Sequence, residues 1–339
     1  MAFPDVEAWV VVARGALPQF WRMHLRSLAV AAAVATPLTG ACDALPQRAK
    51  TAFSGEQAMI YTQAQVNFGP RVPGTLAAQK AGDWIIQQMR QRADTVVVQQ
   101  WTHTTQDGQK LPLRNILARF NPTATSRILY VTHWDTRPFA DSDPIIGNRT
   151  KSFDGANDGA AGVGLFVALA DVLKKTHPAL GVDLLFVDGE DWGSFDNYSP
   201  DKPADVLIGS TYFASHLPEP GYKPLFGVLW DMIADKELQI PEESNSISQA
   251  PEVVQRVWQT AADLGYAKYF PPQDGGAITD DHIPLLRAGL RVVDVLDINY
   301  VEPYPSPKNY HHTTMDTMDK ISAKSLQVVG DVAVKLITG

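Results

Sequence analysis

The stretch that most narrows what this chain can fold into is 182–193, VDLLFVDGEDWG, where an almost wholly apolar run leads straight into a cluster of acids. Residues 182–187 read as a strand covered on both faces inside an α/β sheet. Ligands of open α/β sheets gather beyond the carboxyl ends of the strands, and this end delivers Asp188, Glu190 and Asp191 around Gly189. Carboxylates so close repel one another unless a cation lies between them or one keeps its proton. A metal site is the economical explanation, and a solvated acidic turn the plain one.

The 339 residues are 45% apolar and 19% charged, enough for one large α/β domain or two small ones. One catalytic domain over 54–339 is expected, after a linker at 43–53 and a leader at 1–42. A formal charge of −8 leaves no basic footprint, which argues against nucleic acid and for a small or peptidic substrate. In 23–42, MHLRSLAVAAAVATPLTGAC, His24 and Arg26 precede an apolar run at 28–38 that is too short to span a bilayer. It reads as a secretory signal, with Met23 as a second plausible start. LTGAC resembles a lipoprotein signal-peptidase site that would leave Cys42 as a lipidated first residue, although Thr39 stands where that pattern has leucine. An exported, periplasmic or cell-envelope protein with a lipid anchor at Cys42 is therefore expected. Cys42 is the single cysteine, so an intramolecular disulfide and a thiolate metal site are both excluded.

Apolar spacing predicts helices over 54–68 and 75–92, separated by the GPRVPGT loop. Strands over 96–101 and 114–120 read as a hairpin pair around Asp107-Gly108, and 127–132 is a buried strand ending in His133-Trp134-Asp135. The polar, turn-rich stretch 137–153 is of the kind that lines a site. Asn157 or Asp158 near the N-cap then opens an apolar helix with lysines at its end, as the helix dipole favours. After the strand at 182–187 come a helix near 210–217, a strand at 226–231, a loop at 232–249, a helix at 251–264, a short helix in TDDHIPLLRAG, a strand at 291–297, a Pro-rich loop at 300–310 and a final helix at 322–337. This alternation implies an α/β fold with a mixed, mostly parallel central sheet sandwiched by helices.

Several strand ends and loops carry metal-type ligands: His133 with Asp135, Asp158, Glu190 with Asp191, Asp231 and, later, His312. Their convergence on one sheet edge would make a mononuclear or dinuclear zinc site of oxygen and nitrogen donors. A catalytic zinc wants three protein ligands and an open position. Asp158, Asp191 and His312 meet that demand and leave Glu190 beside the metal as general base or acid. Each has a plainer reading: Asp158 as a helix cap, His312 as a loop histidine, His133 as a hydrogen-bonded strand end. Asp135 suits orienting His133 better than binding metal.

The segments HWDTRPFADSDP, GANDGAAGVG, FVDGEDWG, GVLWDMI, ITDDHIPLL and HHTTMDTMD, with GPRVPGT before them, resemble the zinc-dependent glutaminyl-peptide cyclotransferases of animals and some bacteria, which share the zinc aminopeptidase fold. The match runs from about Ser54 to the C-terminus with the motifs in the family's order. The resemblance implies zinc on Asp158, Asp191 and His312, proton transfer by Glu190, and hydrogen bonding to substrate by Asp231 and Asp280. It implies closure of an N-terminal glutamine of a peptide or protein to pyroglutamate with loss of ammonia. Two positions depart from the animal members: His311 stands where they have an aromatic, and Asp294 where they have a histidine, which implies an altered pocket. One Zn²⁺ is expected, and a second on His133 and Asp231 stays open. A co-catalytic dizinc aminopeptidase would use His133, Asp158 and Asp231 for that second ion and Glu190 to activate water. A surface lipoprotein that only binds peptides is the reading outside enzymes, and Glu190 next to Asp191 argues against it, since a binding module has no use for a proton shuttle.

Overall fold

Among the described residues, six strand segments pair into one sheet in the computed structural model, which describes residues 51–199, 204–298 and 309–339. In chain order the elements are α1 (Gly55–Val66), α2 (Leu76–Arg90), β1 (Thr95–Thr104), β2 (Lys110–Phe120), β3 (Arg127–His133), α3 (Ala161–Thr176), β4 (Gly181–Val187), α4 (Ile208–Ser215), β5 (Phe226–Asp231), α5 (Ser244–Gln249), α6 (Pro251–Asp263), α7 (His282–Arg287), β6 (Val292–Leu296) and α8 (Ala323–Thr338). The leader 1–42 with Cys42, most of the linker 43–53 and most of the loop 300–310 lie outside the described residues.

The strand order is β1-β2-β4-β3-β5-β6. β4, β3, β5 and β6 run parallel while β1 and β2 complete one side antiparallel, which is the expected mixed, mostly parallel sheet. Alternation along each strand divides the side chains between two cores. Tyr130, Leu184, Phe186, Val228 and Trp230 face the larger, which includes residues of α1, α3, α6 and α8. Leu129, Val131, Leu185 and Leu229 face the smaller, covered by Phe213 of α4 and Leu285 of α7. Gly162 lets α3 lie this close to the sheet, because a Cβ there would come within 1.8 Å of Thr132 Oγ1 on β3. In register, His133 pairs with Val187 and Asp231 with Leu296, so the parallel strands finish together and the segments that follow them emerge at one edge.

Local structure departs from the sequence reading in a few places. β1 and β2 are longer at the turn than expected. The stretch read as loop at 232–249 contains α5, capped by the Glu243 carboxylate, which accepts from Asn245 N at 2.9 Å and Ser246 N at 2.6 Å. Glutamate is not among the favoured capping residues, so the sequence carries no start signal there. Neither Asn157 nor Asp158 caps α3: the helix follows Ala160, which makes no side-chain cap bond, and Asp158 (φ −88°, ψ 101°) and Gly159 (φ +91°) break the helical path.

Strand β4 also hides a charge inside its apolar run. Asp183 is fully buried, and its carboxylate accepts from Arg119 Nε at 3.1 Å, Arg127 Nε at 2.7 Å and the Tyr222 hydroxyl at 2.8 Å. It ties β2, β3 and β4 together across the sheet. Removing one partner of a buried ion pair leaves the others uncompensated, so Asp183→Ala is expected to lower unfolding free energy by about 3–5 kcal/mol in denaturant titration. An unchanged midpoint would show that the two arginines reach solvent without cost.

Candidate active site

The shared edge gathers the residues singled out from the sequence. His133 ends β3, Asp231 ends β5, Glu190 and Asp191 follow β4, Asp158 precedes α3, Asp280 precedes α7 and His312 precedes α8. All are buried. Asp158, Glu190, Asp231, Asp280, His311 and His312 line one cavity of about 230 Å³, with Arg137, Phe195 and Ile298 also at its wall. Asp191 lies behind that wall, its Oδ1 3.1 Å from His312 Nε2. His133 sits beneath it, with Nε2 3.0 Å from Asp158 Oδ1 and 3.0 Å from Asp231 Oδ1. Asp188 does not join them. It lines a separate cavity of about 360 Å³ with Trp134 and Arg114, and its carboxylate accepts from Arg114 N at 3.0 Å.

Two further residues brace the site. Asp135 lies 3.7 Å from His133 Nδ1, and its carboxylate accepts instead from the backbone N–H groups of Glu190 and Asp191, both at 3.2 Å, which holds the turn after β4. Arg137, from the loop expected to line a site, donates to Asp191 Oδ1 at 3.0 Å and to Asp141.

The turn bearing Asp158 is built by groups that the sequence reading did not single out. Fully buried Arg71, from the GPRVPGT loop, donates to the carbonyl oxygens of Gly155 at 2.7 Å, Asp154 and Trp134. Buried Asp316 accepts from Asn157 N at 2.8 Å and Asp158 N at 3.1 Å. Gly159 is required in this turn, since a Cβ would meet Asp135 O at 2.3 Å. His312 is held at φ +52°, a left-handed conformation that costs a non-glycine residue about 1–3 kcal/mol. Ser142 N donates to its carbonyl at 3.2 Å.

Burial pushes the Glu190 carboxyl well above its ordinary range, and the neighbouring Asp191 adds to the effect. Burial also raises Asp280, with Asp231 and Asp281 contributing. For Asp158 burial acts upward too, but hydrogen bonding and charge from His133 win and hold it low. For His312 burial acts downward, and Asp191 overcomes it.

The residues fit a zinc ion. Asp158 Oδ2 and Asp191 Oδ2 are buried without a hydrogen-bond partner, an arrangement that costs free energy unless something positive meets them. His312 Nε2 lies 3.6 Å from Asp158 Oδ2, beyond hydrogen-bond reach. The donors are hard carboxylate oxygens and imidazole nitrogen, the set zinc takes when no thiolate is present. Two groups of potential ligands, Asp158 with His311 and His312 and His133 with Asp158 and Asp231, each have their donor atoms within 4.8 Å of one another, and Asp191 joins the first through His312.

Helices on both faces of a mostly parallel sheet, with a metal-type cluster at its carboxyl edge, define an α/β protein with a candidate metal centre where ligands of such sheets bind. Residues 115–337 match Peptidase family M28, and the chain belongs to that family. It is 28% identical over 286 residues to the glutaminyl-peptide cyclotransferase of Bos taurus, covering 74% of this chain and 76% of that protein. Among solved structures it is similar to Porphyromonas gingivalis glutaminyl cyclase, at 38% identity and a TM-score of 0.78, covering 84% of this chain and 97% of that one. It is also similar to a Zn-dependent exopeptidase from Parabacteroides distasonis, at 34% identity and a TM-score of 0.79, covering 86% of this chain and 100% of that one. The expected fold and family are thereby established, with cyclases and exopeptidases both among the relatives.

Asp316 offers a test of how the site is positioned. Asp316→Ala strands two backbone N–H groups and frees the Asp158 turn, so affinity for added zinc, measured by chelator competition, is expected to fall about 10- to 100-fold. Asp316→Asn, which keeps one acceptor, should recover part of the loss. Equal zinc affinity in all three proteins would remove Asp316 from the positioning of Asp158.

Proposed function

We propose that this enzyme is a zinc-dependent glutaminyl-peptide cyclotransferase, which closes the N-terminal glutamine of peptides or proteins to pyroglutamate and releases ammonia. One observation carries the reading: Glu190, Asp231 and Asp280 face the same small cavity beside Asp158 and His312. Three carboxyl groups around one small space suit a substrate that brings two nitrogen groups, an α-amine and a γ-amide. The similarity to the Porphyromonas gingivalis glutaminyl cyclase, over nearly its whole length, supports it.

Asp158, Asp191 and His312 would hold the ion. Bound there, zinc would polarise the γ-amide carbonyl of the substrate. Glu190 takes a proton from the α-amine as its nitrogen bonds to the γ-amide carbon, and returns the proton to the amide nitrogen as the old carbon–nitrogen bond breaks. A carboxyl raised by burial is suited to both halves of that exchange. Asp231 and Asp280 accept hydrogen bonds from the substrate nitrogens and keep the amine over the carbonyl. No water enters the balance.

The second reading is a co-catalytic dizinc aminopeptidase, favoured by the grouping of His133 with Asp158 and Asp231. It would use Glu190 to activate water. Metal content per chain, with turnover of a Gln-initiated and a Leu-initiated peptide, separates the two. One zinc and pyroglutamate product are expected. Two zincs and a released leucine would establish the hydrolase instead. Glu190→Gln should keep its zinc and lose about 10²- to 10⁴-fold in kcat on the Gln-initiated peptide. Loss of zinc in that variant would make Glu190 a ligand.

The leader segment 23–42 supports an exported enzyme held to a membrane by lipid on Cys42. A reporter joined after Ala49 is expected in the periplasm, and one retained in the cytosol would overturn export.

A further inference from the structure

His311 and His312 face the same carboxylate oxygen. His311 Nε2 lies 3.9 Å from Asp158 Oδ2, and His312 Nε2 lies 3.6 Å from that same atom. Donor atoms of Asp158, His311 and His312 all fall within 4.8 Å of one another. Both gaps are too long for hydrogen bonds, yet Asp158 Oδ2 is buried and has no hydrogen-bond partner. Donors about 2.0–2.2 Å from a tetrahedral zinc stand roughly 3.4 Å apart, so the spacing approaches that of ligands around one shared ion. His311 N donates to Asn309 Oδ1 at 3.1 Å, which holds the backbone, and the two imidazole rings, against each other with centroids 3.6 Å apart, must splay to share one ion. The side chain of His311 is also part of the cavity wall, beside Glu190, Asp231 and Asp280.

We propose that His311 is a displaceable fourth ligand of the zinc. With Asp158, Asp191 and His312 it closes the coordination shell in the resting enzyme, and it gives up its place when substrate enters the cavity. The inference rests on the zinc site proposed above and adds a residue to it. A catalytic zinc needs three protein ligands and one open position. Here a neutral imidazole fills that position between turnovers, which tightens metal binding and makes each substrate compete with a side chain. An aromatic at this position, as in the animal cyclases that the sequence resembles, could pack on the second histidine but could not coordinate.

The test is zinc affinity by chelator competition on the purified protein, together with KM for a Gln-initiated peptide. His311→Phe keeps a flat ring against His312 and removes the donor nitrogen. His311→Gln keeps a polar group at the cavity wall and is a poor zinc ligand. Both are expected to weaken zinc binding about tenfold or more, while KM falls because substrate no longer displaces a ligand. The melting temperature of each metal-free variant shows that it is folded. Wild-type protein that binds zinc with the same affinity as both folded variants would overturn the fourth ligand and leave the zinc site standing. Wild-type protein that binds no zinc would overturn both.

Discussion

Like charges crowded at one buried edge are the constraint from which the rest of this structure follows. Asp135, Asp158, Glu190, Asp191, Asp231 and Asp280 are all buried where parallel strands end. Water is largely excluded, so each charge must be met by a cation, by hydrogen-bond donors or by a retained proton. The structure uses all three. Arg137 and His312 meet Asp191, His133 lies between Asp158 and Asp231, backbone N–H groups serve Asp135, and Glu190 and Asp280 are pushed toward the protonated state. The oxygens of Asp158 and Asp191 left without a hydrogen bond mark where the compensation is incomplete, and that remainder is what a metal ion would supply.

Such an arrangement needs a stiff frame, and one short segment provides much of it. Within 312–316, His312 reaches Asp191, Thr314 donates to Asp143 at 3.0 Å from its backbone, and Asp316 receives the N–H groups of Asn157 and Asp158. The segment that brings the imidazole therefore also fastens the loop at 137–153 and the turn before α3. His312 keeps its left-handed backbone because bonds on both sides over-determine it. The neighbouring His311 acquires its position at the cavity wall as a consequence.

Much of this was legible in the chain. Apolar runs and their spacing were sufficient for the order of helices and strands and for a sheet covered on both faces, because burial on two sides leaves few polar residues in a strand. Acids placed at strand ends were sufficient for the edge that carries the site. Their partners were not legible. Asp188 and Glu190 stand two positions apart in the same acidic turn, yet only the path of the chain after β4 sends one to a separate cavity and the other to the site. Asp158 looked like a helix cap, and the positive φ of Gly159 turned its carboxylate toward His133 and His312 instead.

By itself, the sequence determined the fold class, the family and the acids and imidazoles offered at the strand ends, because these depend on residue type and order along the chain. Tertiary structure alone decided which of them meet. Arg71 and Asp316 lie far apart in sequence and resemble any surface charge there, and only folding buries them on either side of one turn. His311 likewise gains its meaning from lying 3.9 Å from an oxygen of Asp158, a proximity that no local pattern encodes because it joins residues more than 150 positions apart.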